Sequence, residues 1–112
     1  MRELRDALRR FSAERDWDQY HAPKNLAMAL SVEAAELLEH FQWIGEEESK
    51  RLPADRLGKV REELADVLIY LVRLADKLDV DLLAAARDKL VLNAAKYPGD
   101  KARGNSRKYS EL

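Results

Sequence analysis

The sequence predicts an all-α protein built as a four-helix bundle, with apolar surface that self-association would cover. Its 112 residues include only four glycines and three prolines and are rich in Ala, Leu, Glu, Lys and Arg, which favour helices. Apolar residues recur at the helical period in four segments, and short polar connections separate these segments. Short connections between long helices are typical of bundles with antiparallel neighbours.

The first two helices flank a segment that contains a proline. Helix one is predicted over residues 2–15, and helix two over residues 24–43 with its end near Gly45. The apolar stripe of helix one consists of Leu4, Ala7, Leu8 and Phe11. Pro23 ends the intervening segment, DWDQYHAP, and favours an extended residue before it, so this segment is predicted to be a loop.

The last two helices follow a polar connection that contains Pro53. Helix three is predicted over residues 56–78 and helix four over residues 81–96. Asp79 and Asp81 are alternative N-caps for helix four, because a short carboxylate can accept a hydrogen bond from a free amide of the first turn.

Helices two and three are apolar over much of their circumference. The apolar residues outside the arcs described below are Met28, Leu38, Leu68, Ile69 and Val72. A domain this small has few elements to cover them, so we expect dimerisation or higher assembly, unless residues such as Leu68 meet the first and fourth helices. We also expect residues 1–98 to form one domain and residues 99–112 to form a basic, flexible tail, because apolar periodicity ends there.

Composition excludes several classes of protein. A net charge of −1 and the lack of a basic stripe on the long helices argue against nucleic-acid binding. The absence of cysteine excludes disulfides and thiolate metal sites. No apolar stretch is long enough for a membrane span or a signal sequence, so we expect a cytoplasmic protein.

Two pairs of acidic residues interrupt the apolar faces of helices two and three. Glu33 and Glu36 share an arc with Leu30, and the pattern EAAELLEH is matched 30 residues later by ELADVLIY, which contains Glu63 and Asp66. Burying like charges together is costly unless a cation joins them. Carboxylate ligands without sulfur favour Mg²⁺, with Mn²⁺ as a substitute.

Two other interpretations of the acidic residues are weaker. A single E-x-x-E pair is commonly a solvated face, but two pairs centred on apolar arcs are harder to explain in that way. A di-iron site would need Glu-x-x-His, and His40 lies four residues after Glu36 rather than three.

Other residues suit a nucleotide. Lys89, Asn93 and Lys96 fall on one face of helix four, where they could meet phosphate groups. The basic residues near the chain end are Lys96, Lys101, Arg103, Arg107 and Lys108. Rings that could stack on a base lie just before helix two, at its end and on helix three: Trp17, Tyr20, His21, Phe41, Trp43 and Tyr70.

These residues together resemble the MazG-like all-α nucleoside triphosphate pyrophosphohydrolases. The resemblance rests on ERDWDQYHAPKNLAMALSVEAAELLEHFQW and EELADVLIYL, which carry the family pattern E-x-x-E followed by E-x-x-D. It extends from about Phe11 to Tyr109 and is strongest to the short dCTP pyrophosphatase branch. It implies Mg²⁺-dependent hydrolysis of dCTP or a modified dCTP to the monophosphate and pyrophosphate, a nucleotide-pool housecleaning role, and assembly into dimers or tetramers.

The resemblance also implies roles for individual residues. The metal ligands would be Glu33, Glu36, Glu63 and Asp66. We assign the general base to Glu36, with Glu33 as the second catalytic residue. Substrate binding would fall to Trp17, Asp18, Gln19, Tyr20, His21, Asn25, Trp43, Tyr70, Lys89, Asn93 and Lys96. Lys96 stands where similar proteins have arginine, so a bidentate phosphate clamp is not expected there.

Three alternatives remain open on the sequence. The substrate could be dUTP or phosphoribosyl-ATP, as in related pyrophosphohydrolases. The chain could instead be a non-catalytic helical interaction module that retains a metal site. Substrate profiling separates all three.

Overall fold

The computed structural model describes residues 1–97, 99, 103 and 104, and within this part of the chain all regular structure is helical. The α-helices are α1 (Arg2–Glu14), α2 (Pro23–Glu39), α3 (Glu46–Ser49), α4 (Ala54–Lys77) and α5 (Leu82–Lys96). One 3-10 helix, Asp18–Tyr20, lies between α1 and α2. The all-α prediction is confirmed.

The chain divides into two compact units, Met1–Val80 and Asp81–Leu112. In the first unit α2 packs along α4, and α1 packs more lightly against α4. The buried apolar core of this unit is small and consists of Leu26, Val60, Val72 and Ala75. Because Leu26 comes from α2 and the other three come from α4, the α2–α4 contact supports most of the unit.

The second helix is shorter than predicted, and the expectation of a helix to residue 43 is wrong at its end. α2 stops at Glu39, and residues 40–44 form turns in which the amides of His40 and Phe41 donate to carbonyls three residues back. The sequence HFQW that follows has low helix propensity, because His, Phe and Trp lose side-chain freedom in a helix. Pro23 occupies the first turn, where its missing amide has no helical partner to lose.

The remaining boundaries are close to those predicted. α4 begins two residues earlier than expected, and the polar connection before it contains the short α3. Of the two N-cap alternatives for α5, Asp81 is confirmed, because its Oδ1 accepts a hydrogen bond from the Ala84 amide at 3.0 Å. Asp79 instead takes a left-handed conformation with φ of 55° in the α4–α5 turn, which a short polar side chain tolerates.

Many large apolar side chains of α2 and α4 are exposed in the single chain. They are Met28, Val32, Leu38, Leu57, Leu64 and Leu68. Monomers rarely leave so much apolar surface uncovered on two long helices, so self-association remains our prediction.

The domain predicted over residues 1–98 and the flexible tail predicted over residues 99–112 stay predictions. Most of the predicted tail, including Lys101, Arg107 and Lys108, lies outside the described residues, as does Pro98. Among the described residues no helix is both long enough and apolar enough to cross a membrane.

Candidate functional site

The acidic residues of α2 and α4 meet where the two helices pack. Carboxylate oxygens of Glu33, Glu36 and Glu63 all lie within 4.8 Å of one another. Glu33 and Glu36 are one turn apart on α2, and Glu63 comes from the facing helix, as the two matched arcs predict. We call these three residues and Asp66 the acidic cluster.

Asp66 is the outer member of the acidic cluster. It lies one turn beyond Glu63 on α4, is half-buried, and falls outside the group joined within 4.8 Å. Its charge nevertheless contributes to the raised pKa of Glu33 and of Glu63. The site therefore contains three convergent carboxylates and a fourth close enough to act on them electrostatically.

Burial and mutual repulsion disfavour the ionised cluster. The pKa of Glu33 rises to about 7, first because burial removes water from its carboxylate, then because of its hydrogen bond with Glu36 and the charges of Glu36 and Asp66. The pKa of Glu63 is raised as well, again mainly by burial. In both residues Oε2 is buried without a hydrogen-bond partner.

These features fit a hard divalent cation. An unpartnered buried carboxylate oxygen is costly, and an ion held by the cluster would give such oxygens a partner. The donors are all carboxylate oxygens, which match Mg²⁺ and Mn²⁺ and do not match the nitrogen and sulfur ligands typical of zinc. The residue types and the orphaned oxygens therefore both fit a divalent cation.

The 3-10 segment, Trp17–His21, lies between α1 and α2 and is fastened at its start by aromatic contacts. Trp17 meets Phe11 of α1 edge to face, with ring centroids 5.6 Å apart, and Arg15 lies 3.6 Å above the Phe11 ring. Both rings remain about half exposed, which leaves surface for a further partner.

Backbone contacts hold the rest of the segment. Gln19 donates to the carbonyl of Asp16 at 3.0 Å, and the Asn25 side chain donates to the Tyr20 carbonyl at 3.2 Å. Asp16 has φ of 53°, a left-handed conformation that lets the chain reverse after α1. Asn25 and Gln19 thus contribute to the shape of the segment through these bonds.

A buried arginine of α4 anchors the other end of the segment, and the sequence analysis missed it. Arg73 is only 3% exposed and donates to Asp18 Oδ1 at 3.0 Å and to His21 Nδ1 at 3.3 Å from Nε. Lys77 donates to the same Asp18 oxygen at 2.6 Å, and Asp76 lies 3.6 Å from Arg73 Nη1. We call Arg73, Lys77, Asp18, His21 and Asp76 the arginine network.

The network shifts the pKa values of its members in the expected directions. Hydrogen bonds from Lys77 and Arg73 lower the pKa of Asp18. Burial and the nearby charge of Arg73 lower the pKa of His21. Arg9 of α1 donates to Asp76 at 2.7 Å, and this bond is the main reason that the pKa of Asp76 is low.

A signal for Arg73 was present in the sequence. Glu63, Asp66, Tyr70, Arg73 and Lys77 follow one another at spacings of three and four, so all five share one face of α4. The spacing alone gives these two cations no role, and the approach of the 3-10 segment shows what they bind.

The other predicted substrate residues are more scattered. Tyr70 is half-buried on α4, one turn from Asp66, whereas Trp43 is 87% exposed in the turns after α2. Lys89, Asn93 and Lys96 lie at helical spacing on α5, in the second unit, with Asn93 half-buried. Their roles stay predictions.

Comparison with known proteins gives a consistent result. The MazG-like family matches residues 28–112, which include both acidic pairs. Human dCTP pyrophosphatase 1 is 48% identical over 104 residues, and the mouse protein of that name is 45% identical over 104 residues. Each alignment covers 91% of this chain but 61% of the relative, so the chain spans about three fifths of the length of these curated relatives.

A solved structure agrees with the fold as well as with the sequence. A pyrophosphatase from Archaeoglobus fulgidus is 47% identical and superposes with a TM-score of 0.83, covering 88% of this chain and 92% of that one. Identity of this order over nearly the whole of that protein, together with the family match, leaves one conclusion: the chain belongs to the MazG-like family.

Proposed function

We propose that this protein is a Mg²⁺-dependent nucleotide pyrophosphohydrolase. It would cleave dCTP, or a modified dCTP, to the nucleoside monophosphate and pyrophosphate. This reaction would serve as housecleaning of the nucleotide pool. The observation that carries the proposal is the meeting of Glu33, Glu36 and Glu63 within 4.8 Å, with two orphaned buried oxygens among them. The names of the relatives, dCTP pyrophosphatase 1 and pyrophosphatase, support the same reaction and favour dCTP over dUTP or phosphoribosyl-ATP.

The acidic cluster would hold the metal. Glu33 and Glu63 would each turn the unpartnered Oε2 to the ion, Glu36 would add a third oxygen, and Asp66 would complete the set directly or through water. When bound, Mg²⁺ would supply charge that offsets the negative charge of the triphosphate as the phosphoanhydride bond breaks.

The chain itself would provide the base. No oxygen of Glu36 is both buried and unpartnered, so Glu36 can face water while Glu33 and Glu63 serve the ion. One Glu36 oxygen would accept the proton of the attacking water, and the oxygen of that water would form the new bond to phosphorus. Glu33 is the alternative base within the same cluster.

The Trp17–His21 segment would bind base and sugar. Trp17 offers a half-exposed ring held by Phe11, and the arginine network fixes His21 at the other end. Tyr70 lies between the network and the acidic cluster on the same face of α4, so its ring suits the space between base and phosphates. We assign phosphate contacts to Lys89, Asn93 and Lys96, in line with the family resemblance.

We further propose a cytoplasmic homo-oligomer, a dimer or a tetramer. The exposed apolar side chains of α2 and α4 support this assembly. Size-exclusion chromatography with light scattering tests it, and a monomer at micromolar concentration would contradict it.

A nucleotide panel tests the proposed reaction. The protein is incubated with Mg²⁺ and each nucleoside triphosphate, including modified deoxycytidine nucleotides, and pyrophosphate is measured. We expect release from dCTP or its modified forms above all others. A preference for dUTP or phosphoribosyl-ATP would overturn the substrate, and no release from any nucleotide would favour a non-catalytic module.

Substitutions in the acidic cluster need a control variant in the same helix. Glu39 of α2 is exposed and lies one turn from Glu36. Glu39→Gln should keep full activity, which shows that loss of a charge from α2 is harmless when the charge is outside the cluster.

A further inference from the structure

The arginine network contains a feature that the proposed reaction does not by itself explain. Arg73 is nearly inaccessible to solvent, yet it reaches across to the 3-10 segment and contacts two of its residues. A buried guanidinium must be compensated, and here Asp18 and Asp76 provide the counter-charges. His21 adds no charge to this balance, so its contact with Arg73 has another consequence.

That consequence concerns the position of the His21 proton. Arg73 Nε and Nη2 lie 3.3 and 3.1 Å from His21 Nδ1. A guanidinium only donates hydrogen bonds and does not lose its proton in proteins, so Nδ1 has to be the acceptor. A neutral imidazole with an unprotonated Nδ1 carries its hydrogen on Nε2.

The surroundings of the ring agree with this assignment. A charged imidazolium would place an N–H at Nδ1 directly against Arg73, and Lys77 adds a second cation nearby. Asp18 acts in the opposite sense, but its Oδ1 already accepts from both cations. Within the described part of the chain Nε2 has no hydrogen-bond partner, so its hydrogen is available to a ligand.

We propose that Arg73 is a positioning residue that fixes His21 as the neutral Nε2–H tautomer and so presents a hydrogen-bond donor to the nucleotide. This inference rests on the proposed function for the identity of the ligand. It adds a residue of α4 to the determinants of substrate binding, acting through His21. The natural acceptors for such a donor are carbonyl and ring-nitrogen atoms of a base, or an oxygen of the sugar.

The tautomer can be measured without any nucleotide. The chain has only two histidines, so a His40→Gln variant assigns the ring signals of His21 in long-range proton–nitrogen NMR spectra. We expect a bare Nδ1 and a protonated Nε2 in the unmodified protein at neutral pH. A hydrogen on Nδ1, or an even mixture of tautomers, would overturn the proposal whatever the enzyme assay shows.

Three substitutions extend the test to binding. Arg73→Met should return His21 toward a mixture of tautomers and raise KM about tenfold, as expected for one lost hydrogen bond, with kcat within about threefold. Arg73→Lys keeps the charge but not the planar fork, so it should restore stability without restoring KM. Lys77→Met leaves the Arg73–His21 contact in place and should keep the Nε2–H tautomer.

Arg61→Met is the matched control. Arg61 is exposed on the opposite face of α4 and has no ion pair among the described residues, so tautomer, KM and kcat should all stay as they are. If Arg73→Met does not fold, Arg73→Lys provides the same readouts. Unchanged KM in both Arg73 variants, full rescue of KM by lysine, or a loss confined to kcat would each contradict a positioning role.

Discussion

One face of α4 carries two charged regions, and they differ in whether each charge has an opposite partner. At Glu63 and Asp66 the helix presents carboxylates to the carboxylates of α2, and nothing in the described chain neutralises them. Two to three turns further on, Arg73 and Lys77 meet Asp18, and every charge has an opposite partner. The same helix therefore holds an unbalanced region and a balanced one.

A buried charge therefore has a different consequence in each region. A buried ion with a partner inside the chain fixes one segment against another, as Arg73 fixes the 3-10 segment. A buried group of like charges leaves the ionised form unfavourable until a ligand arrives. On this basis the acidic cluster is the site that needs something from outside, and the arginine network is part of the support around it.

The largest expected effect comes from removing the general base in the unbalanced region. Glu36→Gln should lower turnover by about two to four orders of magnitude, the usual contribution of a general base, while the fold is kept because the amide is nearly isosteric. Pyrophosphate release and circular dichroism measure the two quantities. If this variant kept most of its activity, Glu36 would not be the base, although the metal site could still stand.

The next largest effect is expected from a cation bound in the unbalanced region, which should raise the free energy of unfolding. Mg²⁺ or Mn²⁺ at a hundred times its dissociation constant should stabilise the protein by about 2.7 kcal/mol, which is seen as a rise in Tm of about 10 °C. Glu63→Gln should lose this response because it removes one of the converging carboxylates. Equal stabilisation of this variant and of Glu39→Gln would place the ion elsewhere.

The two regions should also respond to pH with opposite signs. Glu33 has its pKa raised from 4.5 to about 7, so its ionisation favours the unfolded chain. Stability from this group is complete below pH 4.5 and is lost as the pH rises through about 7. We expect a loss on the order of 1–2 kcal/mol between pH 5 and 8 in the presence of a chelator, since solvent screens part of the full effect.

Asp18 should act at the other end of the pH range. Its pKa is lowered, so its stabilisation is present above its ordinary pKa and is lost as the pH falls through the folded value. Urea unfolding at several pH values distinguishes the two. A Glu33→Gln variant that still loses stability between pH 5 and 8 would show that Glu33 is not the group responsible.

The smallest effect is expected in the balanced region. Lys77 is partly exposed and shares Asp18 with Arg73, so Lys77→Met should cost about 0.5 kcal/mol, and less at high salt. Denaturant midpoints at low and high salt check this. A cost above 2 kcal/mol would mean that Asp18 depends on Lys77 rather than on Arg73.

The acidic cluster was predictable from the sequence because it obeys the helical period. Glu33, Glu36 and Glu63 occupy positions that an amphipathic helix gives to its core, and the repeat of the pattern on α4 made a chance origin improbable. Helix existence followed from the same periodicity. The N-cap at Asp81 followed from local hydrogen-bond chemistry, which depends on few residues.

The arginine network was not predictable in the same way. An arginine in a helix is usually solvated, whereas Arg73 is buried and bonded to a segment 52 to 55 residues away in sequence. The end of α2 at Glu39 was missed for a related reason, since the turns at His40–Ile44 depend on weak propensities that periodicity does not reveal. Local patterns therefore located the charges, and tertiary contacts decided which of them are paired.

The most direct test is a crystal grown with Mn²⁺ and examined for anomalous scattering. Our account places the ion between α2 and α4, contacted by carboxylate oxygens of Glu33, Glu36 and Glu63. An empty cluster whose carboxylates turn to bulk water, with Mn²⁺ bound at another site, would contradict it.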